Sequence, residues 1–173
     1  MADVVAILLA AGESRRMGQL KALLPWQGVS LIKHQVASLR AGGVDQVVVV
    51  LGHRSDELKS ELGDTAGVSW QLNPDYLQGK TTSIKAGLNA LGTDQPQALL
   101  LLNVDQPRSA GVIWFLLENH LSQGSLITIP THNGKGGHPI ILSPTLLDEL
   151  RRIDEESFGI KAVVRRHLEG TRR

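Results

Sequence analysis

Short apolar runs along the chain alternate with segments in which apolar residues recur at helical spacing. The runs are rich in Val, Ile and Leu and lack regular polar alternation, which is typical of strands covered on both faces of a sheet. They predict strands at residues 4–9, 46–51, 68–72, 98–104, 126–129 and 139–142.

Residues that favour helix N-termini lie between these strands. The helices are predicted to begin at Ser30, Ser55, Thr81 or Thr82, Ser109, Ser143 and Ser157. Gly42 and Gly43 end the first of them, and Pro144 takes the first position of the fifth. The face of the fourth helix that is predicted to point inward carries Val112, Ile113, Leu116 and Leu117.

Apolar strands separated by amphipathic helices predict an α/β fold, with three α/β/α layers and a mostly parallel sheet. In such sheets, ligands bind beyond the carboxyl ends of the strands. The residues that follow strands are therefore the first place to search for function.

Composition narrows the class of protein. A chain of 173 residues, of which 42% are hydrophobic and 20% charged, is large enough for one globular domain. No apolar run approaches the ~18 residues of a membrane span, and the N-terminal segment resembles a strand rather than a signal peptide. The absence of cysteine excludes disulfides and thiolate metal sites and favours a reducing compartment. We therefore expect a cytoplasmic protein with no membrane partner.

The net charge of +1 provides no overall field that would attract nucleic acid, so we expect no nucleic-acid partner. Basic residues gather near the C-terminus, but acidic residues are interleaved with them. Such a mixture is typical of a solvated helix face, and a surface for a polyanion or a partner is the alternative.

The loop after the first strand, residues 10–21, contains small, glycine and basic residues. Gly12 and Gly18 allow close approach of the backbone to a ligand, and successive N–H groups in such a turn can bind an anion. Arg15, Arg16 and Lys21 add positive charge for phosphates. The spacing fits neither a P-loop nor Gly-x-Gly-x-x-Gly, so a flexible surface turn with solvated arginines remains the alternative.

Other polar residues also follow predicted strands. Asp105 comes directly after the most apolar strand, where its carboxylate can bind a hard cation or cap the turn. Thr81 and Ser83 lie at a helix start, where they can contact an anion or act only as caps. His138, before Pro139, can be a structural residue or part of a site.

Residues 9–21 read Leu-Ala-Ala-Gly-x-Ser-x-Arg-Met-Gly-x-x-Lys, and residues 23–26 continue with Leu-Leu-Pro-Trp. This pattern resembles the opening of the molybdenum-cofactor nucleotidyltransferases and their wider nucleotidyltransferase relatives, and the resemblance extends over about residues 4–168. It implies a nucleotide-diphospho-sugar-transferase-like fold, Rossmann-like and of the GT-A type. Guanylyltransferase relatives more often have Ala-Gly-Gly in this loop, so Ala11 favours cytidine. The residues to which the resemblance assigns nucleotide contacts in this loop are Ala10, Ala11, Gly12, Ser14, Arg16, Gly18 and Lys21.

The resemblance extends to three further segments. It implies that Asp105, in an Asp-x-Pro sequence, is a Mg²⁺ ligand, and that Lys21 and Arg16 act with it in catalysis. An Asn-Pro…Gly…Ser stretch lines the family's cleft, and its counterparts here, assigned to nucleotide or acceptor contact, are Asn73, Gly79 and Ser83. A Gly-His-Pro sequence near the pterin side is matched by Gly137, His138 and Pro139, which would bind the acceptor. His138 would orient the acceptor phosphate or, when neutral, act as a base.

The activity implied by the resemblance is Mg²⁺-dependent transfer of CMP from CTP to molybdopterin or its molybdenum complex, with release of pyrophosphate. A molybdoenzyme or its chaperone is a candidate partner. Three alternatives stay open: transfer of GMP, transfer to a sugar phosphate, and a nucleotide- or cofactor-binding chaperone without turnover.

We expect residues 1–173 to form one nucleotidyltransferase domain. Family members usually continue into another strand and an acidic stretch, Asp-x-Asp-Thr-Pro, whose acid helps to bind the metal. This sequence reaches Arg173 without that stretch. Either the chain is a shortened form, or the metal depends on Asp105, phosphates and water.

Overall fold

The apolar runs of the sequence form the strands of a seven-stranded sheet. The structure is a computed structural model that describes residues 4–14 and 18–173. Its strands are β1 (Val4–Ala10), β2 (Pro25–Trp26), β3 (Val29–Ser30), β4 (Gln46–Leu51), β5 (Val68–Leu72), β6 (Ala98–Asn103), β7 (Ile127–Thr128), β8 (Thr131–His132), β9 (Lys135–Gly136), β10 (Ile140–Leu142) and β11 (Thr171–Arg172).

The large sheet has the strand order β11-β7-β10-β6-β1-β4-β5. Strands β6, β1, β4 and β5 are parallel neighbours, and β10 runs antiparallel to both β6 and β7. Two small hairpins, β2-β3 and β8-β9, lie outside this sheet. The predicted α/β fold with a mostly parallel sheet is confirmed. The strands at 126–129 and 139–142 are shorter than predicted, and the pairing of β11 with β7 was not predicted.

Strand β1 lies in the interior of the sheet, between β6 and β4, and all its residues are buried. Alternate side chains point to opposite faces: Ala6 and Leu8 join one hydrophobic core, and Ile7 and Leu9 join the other. Because both faces are covered, β1 needs apolar residues at every position, which explains its unbroken apolar sequence.

Helices cover both faces of the sheet. They are α1 (Leu31–Ala41), α2 (Ser55–Leu62), α3 (Lys80–Ala90), α4 (Ala110–Gln123), α5 (Leu147–Leu150) and α6 (Ile160–Arg166), with short 3₁₀ helices at Lys21–Leu23, Tyr76–Gln78 and Pro144–Leu146. Within the described ranges, no helix has both the length and the apolar character needed to cross a bilayer.

Several predicted helix starts need correction. Helix α3 begins at Lys80 with Gly79 as its N-cap, so neither Thr81 nor Thr82 caps it. Ser30 occupies the N-cap position of α1, but its hydroxyl donates to Glu61 Oε1 at 2.7 Å instead of capping the helix. In α3 the conformation of Gly79 sets the helix start, and in α1 the contact with Glu61 takes the hydroxyl that would otherwise cap the helix.

The helix starts near Ser109 and Ser143 agree with the sequence prediction, whereas the last helix starts later than predicted. Ser109 caps α4 by accepting a hydrogen bond from the Val112 N–H, but Val112 itself is 41% exposed and does not point inward as predicted. Ser143 caps the 3₁₀ helix that starts with Pro144. The last helix, α6, begins three residues after the predicted Ser157, behind Gly159 at φ +53°.

Register brings the exits of the central strands to one edge of the sheet. Leu9 in β1 is paired with Asn103 in β6, and Ala10 is paired with Leu51 in β4. The antiparallel strand β10 pairs Ile140 with Leu101, so the residues that precede Ile140 lie beside the exit of β6. The described parts of the loop after β1 (residues 11–14 and 18–21), the loops at 52–54 and 104–109 and the segment 137–139 therefore meet at this edge.

His120 provides a test of the core through the pH dependence of stability. This histidine on α4 is only 2% exposed, its Nδ1 lies 2.9 Å from Thr128 Oγ1, and burial lowers its pKa from 6.5 to about 4. The unfolded chain therefore binds a proton near pH 6.5 and the folded protein only near pH 4, so protonation between these values favours unfolding. We expect the free energy of unfolding to fall by about 3 kcal/mol from this group as the pH is lowered through that window.

Urea unfolding at several pH values would measure this effect in the parent protein and in a His120→Gln variant. Between about pH 6.5 and pH 4, the free energy of unfolding of the variant should change less with pH than that of the parent. Near pH 8, the difference between the two free energies should no longer depend on pH. Parallel curves for the two proteins across the whole range would contradict the assignment.

Candidate active site

A cleft of about 310 Å³ lies beyond the carboxyl ends of β1 and β6. One wall is formed by the end of β1 and the loop after it, and the opposite walls by the start of α3 and the exit of β6. The polar and small residues that line it are Ala10, Ala11, Gly12, Ser14, Lys21, Gly79, Lys80, Ser83, Asn103 and Asp105.

The loop after β1 is closed by a hydrogen bond within itself. Ser14 has a left-handed backbone conformation with φ +53°, and its hydroxyl accepts a hydrogen bond from the Lys21 N–H at 3.0 Å. The buried side chains of Leu20 and Ala22 anchor the same segment in the core. The two buried neighbours and the hydrogen bond of its own N–H therefore fix the backbone of Lys21 in the lining of the cleft.

Lys21 and Asp105 face each other across the cleft. Lys21 Nζ lies 2.9 Å from Asp105 Oδ2, and the two side chains are 38% and 42% exposed. An ion pair with this much exposure contributes little to stability, roughly 0–1 kcal/mol. The pair is therefore available to exchange its mutual contact for contacts with a ligand.

The loop that carries Asp105 is fixed by a buried glutamine from α1. Gln35 is fully buried, and its Nε2 donates to the carbonyl oxygens of Asn103 and Val104 at 3.3 and 3.2 Å. Its Oε1 accepts a hydrogen bond from the Arg108 N–H at 3.3 Å. These bonds satisfy backbone groups at the point where β6 ends, so Gln35 sets the direction in which the Asp105 loop leaves the sheet.

Asn73 plays a similar role behind the α3 wall. It is 3% exposed, and its Nδ2 donates to the hydroxyls of Thr82 and Ser83, both at 2.9 Å. Its Oδ1 accepts a hydrogen bond from the Asp75 N–H at 3.0 Å. Ser83 lines the cleft, whereas Asn73 lies behind it and orients the serine hydroxyl.

Gly79 makes room for an acidic side chain at the start of α3. Its φ is +126°, and a Cβ atom built on it would overlap the carboxylate of Glu155. Glu155 Oε1 accepts hydrogen bonds from the Thr81 N–H at 2.7 Å and the Thr81 hydroxyl at 3.0 Å. A carboxylate is favourable here because the first N–H groups of a helix carry a partial positive charge.

A second cavity, of about 570 Å³, adjoins the cleft. It lies between α3, β10 and α6, and apolar side chains such as Ile129 and Ile160 form part of its wall. Phe158, at its edge, is 66% exposed and lies 5.5 Å from the guanidinium of Arg165. The charged and polar residues that line this cavity are Lys80, Thr81, His138, Glu155, Lys161, Arg165 and Arg173.

His138 is neutral at physiological pH. Its pKa is lowered to about 4, mainly by burial and also by the cations Lys80 and Arg108, while Asp105 opposes the shift. The segment is held by Arg108, whose Nε donates to the His138 carbonyl oxygen at 2.7 Å. Asn103 Nδ2 lies 3.3 Å from His138 Nε2, and the buried Asn103 Oδ1 has no hydrogen-bond partner among the described residues.

The structure gathers most of the residues that the sequence singled out. The cleft is lined by Ala10, Ala11, Gly12, Ser14, Lys21, Gly79, Ser83 and Asp105, and the second cavity by Gly137 and His138. Asn73 and Pro139 are buried behind these walls, and Gly18 is exposed in the loop without lining the cleft. Arg16 lies outside the described residues, so its predicted role stays a prediction.

The side chains of the site that sequence reasoning missed include Lys80, Asn103, Glu155 and Phe158. The position of Lys80 directly after Gly79 at a helix start was a usable signal, as was that of Asn103 at a strand end. Glu155 and Phe158 are brought to the site from a distant loop, and no local pattern marks them. In residues 4–14 and 18–173, no three His, Asp or Glu side chains form a group that could hold a metal ion by themselves.

A strand-end cleft with a glycine-bearing loop, a facing Lys–Asp pair and an adjoining cavity suits a nucleotidyltransferase, which places a nucleoside triphosphate beside an acceptor. Comparison with known proteins agrees with this class. Residues 6–171 match the MobA-like NTP transferase domain, and the chain belongs to this family. It is therefore a nucleotidyltransferase, and the resemblance identified from the first loop is confirmed.

Two curated relatives illustrate the range of the family. The molybdenum cofactor cytidylyltransferase of Escherichia coli (strain K12) is 31% identical over 153 residues, which are 88% of this chain and 77% of that protein. The bifunctional protein GlmU of Pelobacter propionicus is 29% identical over 140 residues, which are 80% of this chain and 30% of that protein. The chain thus spans less than a third of the length of GlmU.

Crystal structures of Rv0371c from Mycobacterium tuberculosis H37Rv have the same fold. One has a TM-score of 0.82 at 22% identity and covers 99% of this chain and 86% of that chain. A manganese complex has a TM-score of 0.76 at 20% identity and covers 98% and 86%. At these identities the likeness shows the fold alone, and it confirms the predicted nucleotide-diphospho-sugar-transferase-like architecture.

The contact between Gly79 and Glu155 can be tested by Gly79→Ala. The added methyl group would overlap the Glu155 carboxylate in a backbone conformation that favours glycine. We expect a loss of about 2 kcal/mol in the free energy of unfolding, measured by urea denaturation. Gly111→Ala on α4, where the new methyl group meets open space, is the matched control and should leave stability unchanged or raise it by up to about 1 kcal/mol.

Adding Glu155→Ala to Gly79→Ala should restore part of the lost stability, since it removes the overlap but not the backbone strain. A Gly79→Ala protein as stable as its parent would contradict the role assigned to Gly79.

Proposed function

We propose that the protein transfers CMP from CTP to molybdopterin, with Mg²⁺ and with release of pyrophosphate. The observation that carries the proposal is the 2.9 Å Lys21–Asp105 pair in the lining of a cleft that adjoins a second cavity with cationic residues in its wall. This arrangement offers one place for a triphosphate and an adjacent place for an anionic acceptor. The similarity to the E. coli cytidylyltransferase supports the choice of base and acceptor.

On the nucleotide side, the base would lie against Ala10 and Ala11, each only 5% exposed at the end of β1. The phosphates would extend along Gly12 and Ser14 to Lys21. Gly12 has open space where a Cβ atom would stand, so its backbone is accessible to a ligand. Arg16 and Gly18, which the sequence also assigns to nucleotide contact in this loop, would bind the same phosphates.

The residues of the cleft fit a divalent cation that is shared with the substrate. Mg²⁺ commonly binds through one or two carboxylates together with substrate phosphates and water, so a single carboxylate is a sufficient protein contribution. Asp105 would supply it, because its carboxylate is exposed to the cleft and already faces a cationic group. Bound there, Mg²⁺ would neutralise phosphate charge. The manganese complex of Rv0371c is consistent with a divalent cation in a protein of this fold.

In the reaction, an oxygen of the acceptor phosphate forms a bond to the α-phosphorus of CTP. The bond between the α-phosphorus and the bridging oxygen breaks, and its electron pair leaves with pyrophosphate. The protein forms no covalent bond, so its contribution is positioning and charge neutralisation. Lys21 would hold the triphosphate by point charge, and its closed loop would keep it in place before the substrate binds.

The second cavity suits a planar ring with an anionic group. Phe158 offers an exposed aromatic face, Ile129, Ile160 and Val164 offer apolar contact, and Lys161 and Arg165 offer positive charge. A pterin with a terminal phosphate has these complementary features, whereas the hydroxyl groups of a sugar would leave much of the apolar wall without a partner. The acceptor would reach the site past Gly137, His138 and Pro139.

His138 would orient the acceptor rather than act as its base. A base is most effective when its pKa lies near the working pH, and a histidine with a pKa of about 4 is a weak base at neutral pH. A phosphate monoester is moreover largely ionised at pH 7, so it needs no base to attack. The neutral imidazole can still form a hydrogen bond to it.

A second candidate is nucleotidyl transfer to a sugar phosphate, the alternative acceptor that the sequence leaves open. Transfer of GMP would differ only in the nucleotide, with guanine in place of cytosine against Ala10 and Ala11. A molybdoenzyme or its chaperone would receive the product if molybdopterin is the acceptor. A chaperone without turnover would bind CTP and release no pyrophosphate, which separates it from the enzyme in a single assay.

Neutral substitutions at the Lys–Asp pair test the proposal. In Lys21→Met and Asp105→Asn, we expect a folded protein whose rate of pyrophosphate release from CTP and molybdopterin is lowered about 100-fold or more. The stability of both variants should stay within about 1 kcal/mol of the parent, because the pair is exposed. Asp148→Asn, which removes an exposed ion pair with Arg151 outside both cavities, is the matched control and should keep full activity.

Full turnover in Lys21→Met or Asp105→Asn would overturn the proposed site. Loss of folding in these variants, measured by circular dichroism, would assign the pair a structural role instead.

Base selection is tested by thermal shift with CTP, GTP and ATP in the presence of Mg²⁺. A ligand at about 100 times its Kd stabilises a folded protein by about 2.7 kcal/mol, so a preference of about tenfold or more would be visible as a separation of the three curves. We expect CTP to give the largest shift. Equal shifts with all three nucleotides would remove the cytidine assignment while leaving the nucleotide site.

A further inference from the structure

Lys80 is the charged residue that lines both the cleft and the second cavity. It is the first residue of α3, directly after Gly79, and so stands where the wall between the two spaces begins. Leu9, the other residue common to both linings, is apolar and belongs to the core strand β1. A group on the Lys80 side chain can therefore reach ligands on either side of this wall.

The surroundings of Lys80 hold opposite charges on its two sides. Part of the residue stays exposed, yet burial lowers the pKa of its ammonium group; Asp105 and then Glu155 oppose this effect, and Lys161 adds to it. Asp105 belongs to the cleft, and Glu155 and Lys161 belong to the second cavity. Lys80 thus interacts electrostatically with charged residues of both the cleft and the second cavity.

Lys80 also differs from Lys21 in how it is paired. Lys21 Nζ lies 2.9 Å from Asp105 Oδ2, whereas no carboxylate in the described part of the chain forms a direct ion pair with Lys80. Glu155 Oε1 accepts hydrogen bonds from Thr81, and no hydrogen bond or ion pair joins Glu155 to Lys80 in the part of the chain that the structure describes. The ammonium group is therefore positioned between carboxylates but keeps donors available for a ligand.

The reaction creates a need for a cation at this point. The attacking phosphate must approach the α-phosphorus of a triphosphate that already carries several negative charges, and their repulsion rises as the two come together. A cation within reach of both reduces that repulsion where the new bond forms. Lys21 is placed on the nucleotide side and Lys161 on the acceptor side, so neither occupies the shared wall.

We propose that Lys80 binds the attacking phosphate of the acceptor and holds it beside the α-phosphate of the bound nucleotide. This inference rests on the proposed function and names a residue that the family pattern in the first loop does not include. An acceptor phosphate oxygen forms the bond to the α-phosphorus, and pyrophosphate leaves with the electron pair of the broken bond. Lys80 stays protonated throughout and exchanges no proton with either substrate.

The test compares Lys80→Met and Lys80→Arg in the full chain. With CTP, Mg²⁺ and molybdopterin, we expect Lys80→Met to raise the KM for molybdopterin by about tenfold to 100-fold, as loss of a charged hydrogen bond would. The Kd of CTP with Mg²⁺, measured by calorimetry, should change by less than about twofold, since the nucleotide keeps its contacts in the first loop. Lys80→Arg should recover most of the loss, because it keeps the positive charge.

Lys85→Met is the matched control, since it removes the same charge from the same helix at a position that lines neither cavity. It should leave both constants unchanged. A Lys80→Met protein with an unchanged KM for molybdopterin would overturn the proposal. An equal loss of CTP affinity would also overturn it, because Lys80 would then be a ligand of the nucleotide alone.

A binding measurement separates failure of this inference from failure of the proposed function. The Kd of molybdopterin, followed by its fluorescence without CTP, should rise in Lys80→Met and recover in Lys80→Arg even if turnover is slow. A parent protein that neither binds molybdopterin nor releases pyrophosphate would overturn the proposed function, and this inference with it. A parent protein that does both, with a Lys80→Met variant that matches it, would overturn only the role of Lys80.

Discussion

Parallel pairing in the register Leu9 to Asn103 is the constraint on which the site depends. It makes the loop after β1 and the loop after β6 leave the sheet side by side, although they are far apart in the chain. Lys21 and Asp105, which are 84 residues apart, can then lie within 2.9 Å of each other. A shift of this register by one residue would turn each side chain of β1 from one buried core to the other, where the neighbouring side chains are different.

Two buried amides transmit this constraint from the sheet to the loops. Gln35 binds backbone groups at the end of β6, and Asn73 binds the hydroxyls at the start of α3. Each is buried and hydrogen-bonded through both its oxygen and its nitrogen, so neither carries the cost of an unsatisfied polar group. The charged pair that would contact substrate is more exposed, with Lys21 at 38% and Asp105 at 42%. Buried residues thus fix the backbone around the site, whereas the Lys21 and Asp105 side chains can exchange their mutual contact for contacts with a ligand.

The sequence predicts the parts of this arrangement that depend on local pattern. Buried strands such as β1 and β4 need unbroken apolar runs, and a carboxylate after such a run is conspicuous, so the strands and Asp105 could be identified directly. The start of α3 could not, because Gly79 adopts φ +126° beside Glu155, and Glu155 meets Thr81 from 74 residues further along the chain. Val112 was wrongly predicted to point inward, because apolar periodicity indicates which face of a helix is buried but not where the buried face ends. Lys80, Glu155 and Phe158 acquire their surroundings only when loops from three regions meet.

The neutrality of His138 follows from the same meeting of loops. Cations that would attract phosphate, Lys80 and Arg108 among them, also disfavour a proton on the imidazole, and burial acts in the same direction. A protonated histidine would add one more positive charge, but its charge would then vary across the physiological pH range. A histidine with a pKa of about 4 contributes hydrogen bonding without such variation. In the proposed reaction, lysine and arginine side chains would attract the acceptor phosphate, and the neutral His138 would orient it.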